Sequence, residues 1–100
     1  MYQIYAKNRS VEKDFEKLLK SLSEQQQANM MTVLAASPKA TQASGAILNK
    51  IEKRGMYWQY FATGGNRVIY DVMETKDNKQ ILILFAGNHD KAKIFLRKHR

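Results

Sequence analysis

Arg67 follows a Gly64-Gly65-Asn66 turn, and His89 follows the apolar run Ile81 to Phe85, so two chemistry-bearing side chains fall at expected strand ends. A guanidinium is planar, permanently charged and able to bind two phosphate oxygens together. Imidazole, as a residue type, exchanges a proton near neutrality. If their strands are neighbours, the two converge with Tyr60 or Trp58 in one groove, a set that suits RNA. Internal attack by a ribose 2′-hydroxyl needs a base for that hydroxyl, positive charge beside the pentacoordinate phosphate and an acid for the departing 5′-oxygen. Arg67 would clamp the phosphate, His89 would be acid or base, and Tyr60 is the third candidate. Plainer roles stand beside these: Arg67 in a surface ion pair, His89 as an ordinary helix-start residue, and Tyr57, Trp58, Tyr60 and Phe61 as core aromatics. Stacking on bases requires that strand alternation turn a subset of those rings outward.

The charge balance points to an anionic partner. Seventeen Lys and Arg against nine Asp and Glu give +8, divided as +3 over residues 1–50 and +5 over residues 51–100. Lys91, Lys93, Arg97, Lys98 and Arg100 face a single acid, Asp90, in the last 13 residues. Nucleic acid is the first partner such a balance suggests and an acidic protein the second. Binding of this kind weakens steeply with added salt.

Other chemistries are poorly served. The chain has no cysteine and two histidines, so disulfides, thiol nucleophiles and cysteine-type zinc sites are excluded, and nothing has the spacing of a metal site or a Ser/His/Asp triad. No cofactor or metal is expected. Gly64-Gly65 lacks the lysine and the strand-to-helix setting of a phosphate-binding loop and is read as a hairpin turn. Absence of cysteine fits a reducing cytoplasm, and no segment approaches the ~20 apolar residues of a membrane span, so a soluble, cytoplasmic protein with no membrane partner is expected.

One hundred residues, 44% hydrophobic and 26% charged, with one Pro and five Gly, suit one folded domain over residues 1–100. Tyr2, Ile4 and Ala6 alternate with polar neighbours as a short strand. Val11, Phe15, Leu18, Leu19 and Leu22 form one helical stripe, with Ser10 as the expected cap. Ser23 and Gln26 have the capping-box spacing of a second helix, with Ala28, Met31 and Leu34 or Ala35 as its inner face and an end before Pro38. Residues 37–46 are read as a surface connection. Strands are expected from Ile47 to Lys53, over the aromatic run Tyr57 to Ala62, over Arg67 to Met73 and over Gln80 to Ala86, with turns at 63–66 and 76–79. The unbroken run Ile81 to Phe85 predicts an interior strand covered on both faces. Asp90 to Lys98 forms a short basic helix. The sum is an α+β fold: an antiparallel sheet of four to five strands, an N-terminal helical hairpin on one face, the opposite face left open, and a C-terminal basic helix.

The string Gly65-Asn66-Arg67-Val68-Ile69-Tyr70-Asp71-Val72, the strand Ile81 to Phe85 and the segment Ala86-Gly87-Asn88-His89-Asp90-Lys91 together resemble the RelE/ParE superfamily of toxins. The element order agrees over nearly the whole chain, and the N-terminal half matches in pattern only. The resemblance implies a type II toxin–antitoxin pair. RelE-like members are metal-independent, ribosome-dependent endoribonucleases that cut mRNA in the decoding site, beside 16S rRNA; ParE-like members poison DNA gyrase without being enzymes. Both are neutralised by an acidic antitoxin in a hetero-oligomeric complex, and a toxin that has lost activity would serve only in the repressor complex. The family's strand-start arginine carries over onto Arg67, and its basic residue after the last strand onto His89. Its C-terminal tyrosine is matched by Phe95, which exchanges no proton. The lysines of its strand before the glycine turn are replaced by Trp58 and Tyr60, so Tyr60 is a substitute candidate. Lys50, Lys53, Arg54, Trp58, Lys91, Lys93 and Arg97 are the expected RNA-binding residues.

Overall fold

The computed structural model describes residues 1–39 and 50–99. In chain order these form β1 (Gln3–Ala6), α1 (Arg9–Lys20), α2 (Glu24–Ala36), β2 (Lys50–Arg54), β3 (Tyr57–Phe61), a single 3-10 turn (Thr63–Gly65), β4 (Asn66–Glu74), β5 (Lys79–Asn88) and α3 (His89–Lys98). The fold is α+β, with a five-stranded sheet in the order β1-β5-β4-β3-β2. The expectation of a wholly antiparallel sheet is corrected: β2 to β5 form an antiparallel meander, but β1 lies parallel to β5, Gln3 opposite Gln80 and Ala6 opposite Ile83. A parallel pair needs a long connection, and here both helices and three strands lie between the partners.

Local chemistry explains the helix ends. Asn8, not Ser10, caps α1, its side chain accepting the Val11 N–H at 2.9 Å. Both residues carry a suitable oxygen, but capping from Asn8 gives the helix two further residues. The capping box of α2 forms as its spacing predicts, with Ser23 Oγ accepting the Gln26 N–H and Gln26 Oε1 accepting the Ser23 N–H. The inner face of α2 holds Leu34 as expected but Met30 in place of Ala28 and Met31: Met30 and Leu34 are buried and Val33 packs on the core, while Ala28 and Met31 are exposed. The expected strand from Ile47 is described only from Lys50, and most of the 37–46 connection lies outside the described residues.

One core joins the helices to a single face of the sheet. Phe15, Leu18, Leu22, Met30 and Leu34 meet Ile51, Tyr60, Val68, Tyr70, Ile81, Ile83 and Ala86. Along β4 the register shifts after Ile69, which pairs with Phe85 while Tyr70 pairs with Ile83, so Leu84 is the extra residue of a bulge. Core-facing positions on β5 therefore run Ile81, Ile83, Ala86. The bulge breaks the period-2 alternation, which contributes to the apolar run in the sequence.

Tyr70 is fully buried and donates its hydroxyl to the Pro38 carbonyl at 2.6 Å, tying the end of the helical half to the middle of the sheet. Tyr70→Phe is expected to lower stability by about 1–2 kcal/mol, because the buried Pro38 carbonyl loses its donor. Chemical denaturation of the two proteins, compared at equal slope, checks this.

The face opposite the core is not left open. Ile69 lies between core-facing Val68 and Tyr70, so alternation turns it to the other side, where it is fully buried. α3 packs on β4 and β5 there, with Ala92 1% exposed. The sheet is thus covered by α1 and α2 on one side and crossed by α3 on the other.

Candidate nucleic-acid interface

Strand register decides which candidate residues share a face. Phe61 pairs with Arg67, and Arg67 with Gly87, so these three positions lie in one row across β3, β4 and β5. Tyr60 pairs with Val68 and shares that residue's orientation into the core. It is 1% exposed, and burial pushes its hydroxyl up to about 12. At neutral pH such a phenol is fully protonated and shielded from substrate. Trp58 packs on the same core side, with Lys53 Nζ 5.2 Å from its ring centroid. Arg67 and His89 are therefore brought to one end of the sheet, and Tyr60 and Trp58 are turned away from Arg67.

The turn before β4 sets Arg67 in place. Gly64 and Gly65 have φ of +74° and +79°, which a side chain with a Cβ rarely adopts. Ala62 N–H donates to Asn66 O at 2.9 Å, and Asn66 Nδ2 donates to Thr63 O at 3.1 Å, closing the loop. The Arg67 guanidinium then lies 4.4 Å from the Phe61 ring centroid, and Nη1 donates to Asn66 O at 3.2 Å. Among the described residues no carboxylate pairs with it. Stacking on Phe61 holds the fork without neutralising it.

His89 opens α3. Asn88 caps that helix, its Oδ1 accepting the Lys91 N–H at 2.9 Å, and Asn88 pairs with Asn66 across the sheet. The same pairing sets His89 beside the glycine turn: a Cβ placed on Gly65 would lie 4.0 Å from His89 Cβ. The imidazole is 47% exposed, with Nδ1 3.6 Å from Asp90 Oδ1. It is open to solvent and within reach of a ligand lying over the turn.

Gly87 is required by packing. A Cβ there would meet Phe85 Cζ at 2.9 Å, because the Phe85 ring lies over it. That ring contacts Phe95 of α3, with centroids 5.5 Å apart, and Phe95 in turn meets Tyr57 at 6.2 Å and stacks on His99 at 4.1 Å. Gly87→Ala is expected to push Phe85 into Phe95 and loosen α3, costing about 1–3 kcal/mol as other overpacked sites do. Hydrogen exchange should report this as faster exchange in α3 than in α1.

Of the cations, Lys53, Lys91, Lys93, Arg97 and Lys98 are exposed. The side chains of Lys50 and Arg54 and the whole of Arg100 lie outside the described residues. Sequence reading missed Phe61 as the platform of Arg67 and missed the row formed by Tyr57, Phe85, Phe95 and His99. The available signal was Tyr57 and Phe61 at even spacing, in phase with Arg67 once the turn length is fixed.

Among the described residues no three His, Cys, Asp or Glu side chains gather as a metal-holding group, and no helix is long and apolar enough to cross a membrane. What the arrangement offers chemically is an unneutralised guanidinium on an aromatic ring, an exposed imidazole beside a glycine turn, and a basic helix leading away from both. No protein-family model matches the chain, and no curated protein matches its sequence.

Proposed function

We propose that the protein is the toxin of a type II toxin–antitoxin pair, a RelE-like endoribonuclease that cleaves mRNA on the ribosome by 2′-hydroxyl attack and so inhibits translation. The observation that carries this reading is Arg67, free of any described carboxylate, at the same sheet end as an exposed His89. Arg67 stabilises the charge of the pentacoordinate phosphate, and His89 moves the proton as base or acid. Two N-terminal helices on one sheet face and a basic helix on the other are in keeping with a RelE-like fold. An acidic antitoxin would cover the basic surface in a hetero-oligomer, by charge complementarity, and the setting is the cytoplasm.

A second reading is supported by Tyr60. With that residue in the core and no lysine on β3, His89 is the one acid–base candidate that remains at the Arg67 end of the sheet among the described residues, which suits a ParE-like gyrase poison or an inactive repressor partner as well as an enzyme. Primer extension on a reporter mRNA in a purified translation system separates them. Cuts confined to translated RNA support the nuclease. Intact RNA with folded protein, together with an altered supercoiling assay, supports the gyrase poison.

A further inference from the structure

A groove of about 560 Å³ lies between the β2–β3 turn and the C-terminal half of α3, lined by Met56, Tyr57, Lys93, Leu96, Arg97 and His99. Its size is that of a small-ligand pocket. Lys93 and Arg97 stand one helical turn apart on one face of α3, both exposed, and among the described residues no carboxylate lines the groove. Tyr57 supplies a half-buried ring. His99 stacks one face on Phe95 at 4.1 Å, leaving the other for a planar ligand. Its Nδ1 lies 2.9 Å from Phe95 O and, because a carbonyl only accepts, is the donor of that contact, which fixes the ring over Phe95.

We infer that this groove holds one nucleotide of a single-stranded RNA, its base stacked at Tyr57 and His99 and its phosphate on Lys93 and Arg97. Along α3 the lining begins one turn beyond His89, about 6 Å away at Lys93 and about 12 Å at Arg97 from the helical rise of 1.5 Å per residue, and neither His89 nor Arg67 lines it, so it is a subsite adjoining them. An acidic peptide would use the two cations but not the stacking faces, which a nucleobase fills. The inference rests on the RNA-directed reading above for its ligand, though not on cleavage.

The test is titration of the full, ¹⁵N-labelled chain with adenosine 5′-monophosphate, followed by amide shifts. Expected are shifts at Met56, Tyr57, Leu96 and Arg97, an affinity at least tenfold above that for inorganic phosphate, and a tenfold or greater loss in the Lys93→Ala/Arg97→Ala double variant, whose exposed positions leave the fold intact. Equal affinity for phosphate and the nucleotide, shifts elsewhere only, or tighter binding of hexaglutamate at these residues would overturn it. Nucleotide binding in the groove without cleavage of translated mRNA supports the subsite while removing the nuclease reading. Cleavage without groove binding overturns the subsite alone.

Discussion

On the proposed nuclease reading, Arg67→Ala should slow cleavage of translated mRNA by about 100-fold or more while leaving the protein folded. Removing one preorganised charge from a developing oxyanion commonly costs a factor of 10²–10³. Structurally the change is mild, since Arg67 is half-buried, lies over Phe61 and bonds only to the Asn66 carbonyl among its described partners. The lost cation–π contact is worth about 0.5–1 kcal/mol at such a site. Arg67→Lys should recover little, because an ammonium neither stacks flat on Phe61 nor grips two phosphate oxygens. Rates of primer-extension product, beside a thermal melt of each variant, decide the matter. Full-rate cutting by a folded Arg67→Ala protein would remove Arg67 from the site.

On the same reading, His89→Ala should give the second large effect, a loss of about 10²–10⁴-fold, the range that a positioned proton-transfer group contributes. Asn88 still caps α3 in this variant and Ala92 still buries the helix, so the change is confined to the imidazole. His89→Gln should be as inactive as the alanine form, because an amide hydrogen-bonds but exchanges no proton. Added imidazole should partly restore the alanine variant, since the native ring is 47% exposed and its place is open to solvent. A merely structural histidine would show no such rescue. If His89→Ala cuts at the native rate, proton transfer does not pass through this ring, and Tyr60, sealed 1% exposed in the core, does not take its place.

What the sequence discloses follows from how local each signal is. The α1 stripe and the capping box at Ser23 are set by neighbours within four positions of one another; the box forms, and the stripe lies on α1 from Val11 to Leu19, with Leu22 packing on the core from just past the helix end. The glycine turn is equally local. The face of Tyr60 is not, because it depends on Val68 lying opposite, which the length of the intervening turn decides. The parallel strand is further still from local reach: Gln3 to Ala6 find their partners nearly 80 residues on, and nothing in four residues states the direction of pairing. The bulge at Leu84 was likewise hidden, for a run of apolar residues has the same appearance whether covered on two faces or slipped by one. The coverage of the open face by α3 required knowing that Phe85 and Phe95 meet. The pair Arg67 and His89 could be read because each stands at a strand end marked by its own neighbours.

The pairing of β1 with β5 also fixes an order of events. During synthesis β1 emerges long before β5, so the first strand has no partner to lie against until the last one has been made. Closing so distant a contact costs more loop entropy than closing the short turns of the β2–β5 meander, by about 0.6 kcal/mol per doubling of length, and is expected to be slower. The meander can form first, with the edge of β5 unpaired. Arrival of β1 then fastens that edge through four paired residues and the Lys7 N–H on Ile83 O, while the Tyr2 N–H on Ala35 O ties β1 to α2, and a chain lacking it presents a bare apolar strand to its neighbours. The first strand thus acts as a latch set last, guarding the nearly complete protein against self-association.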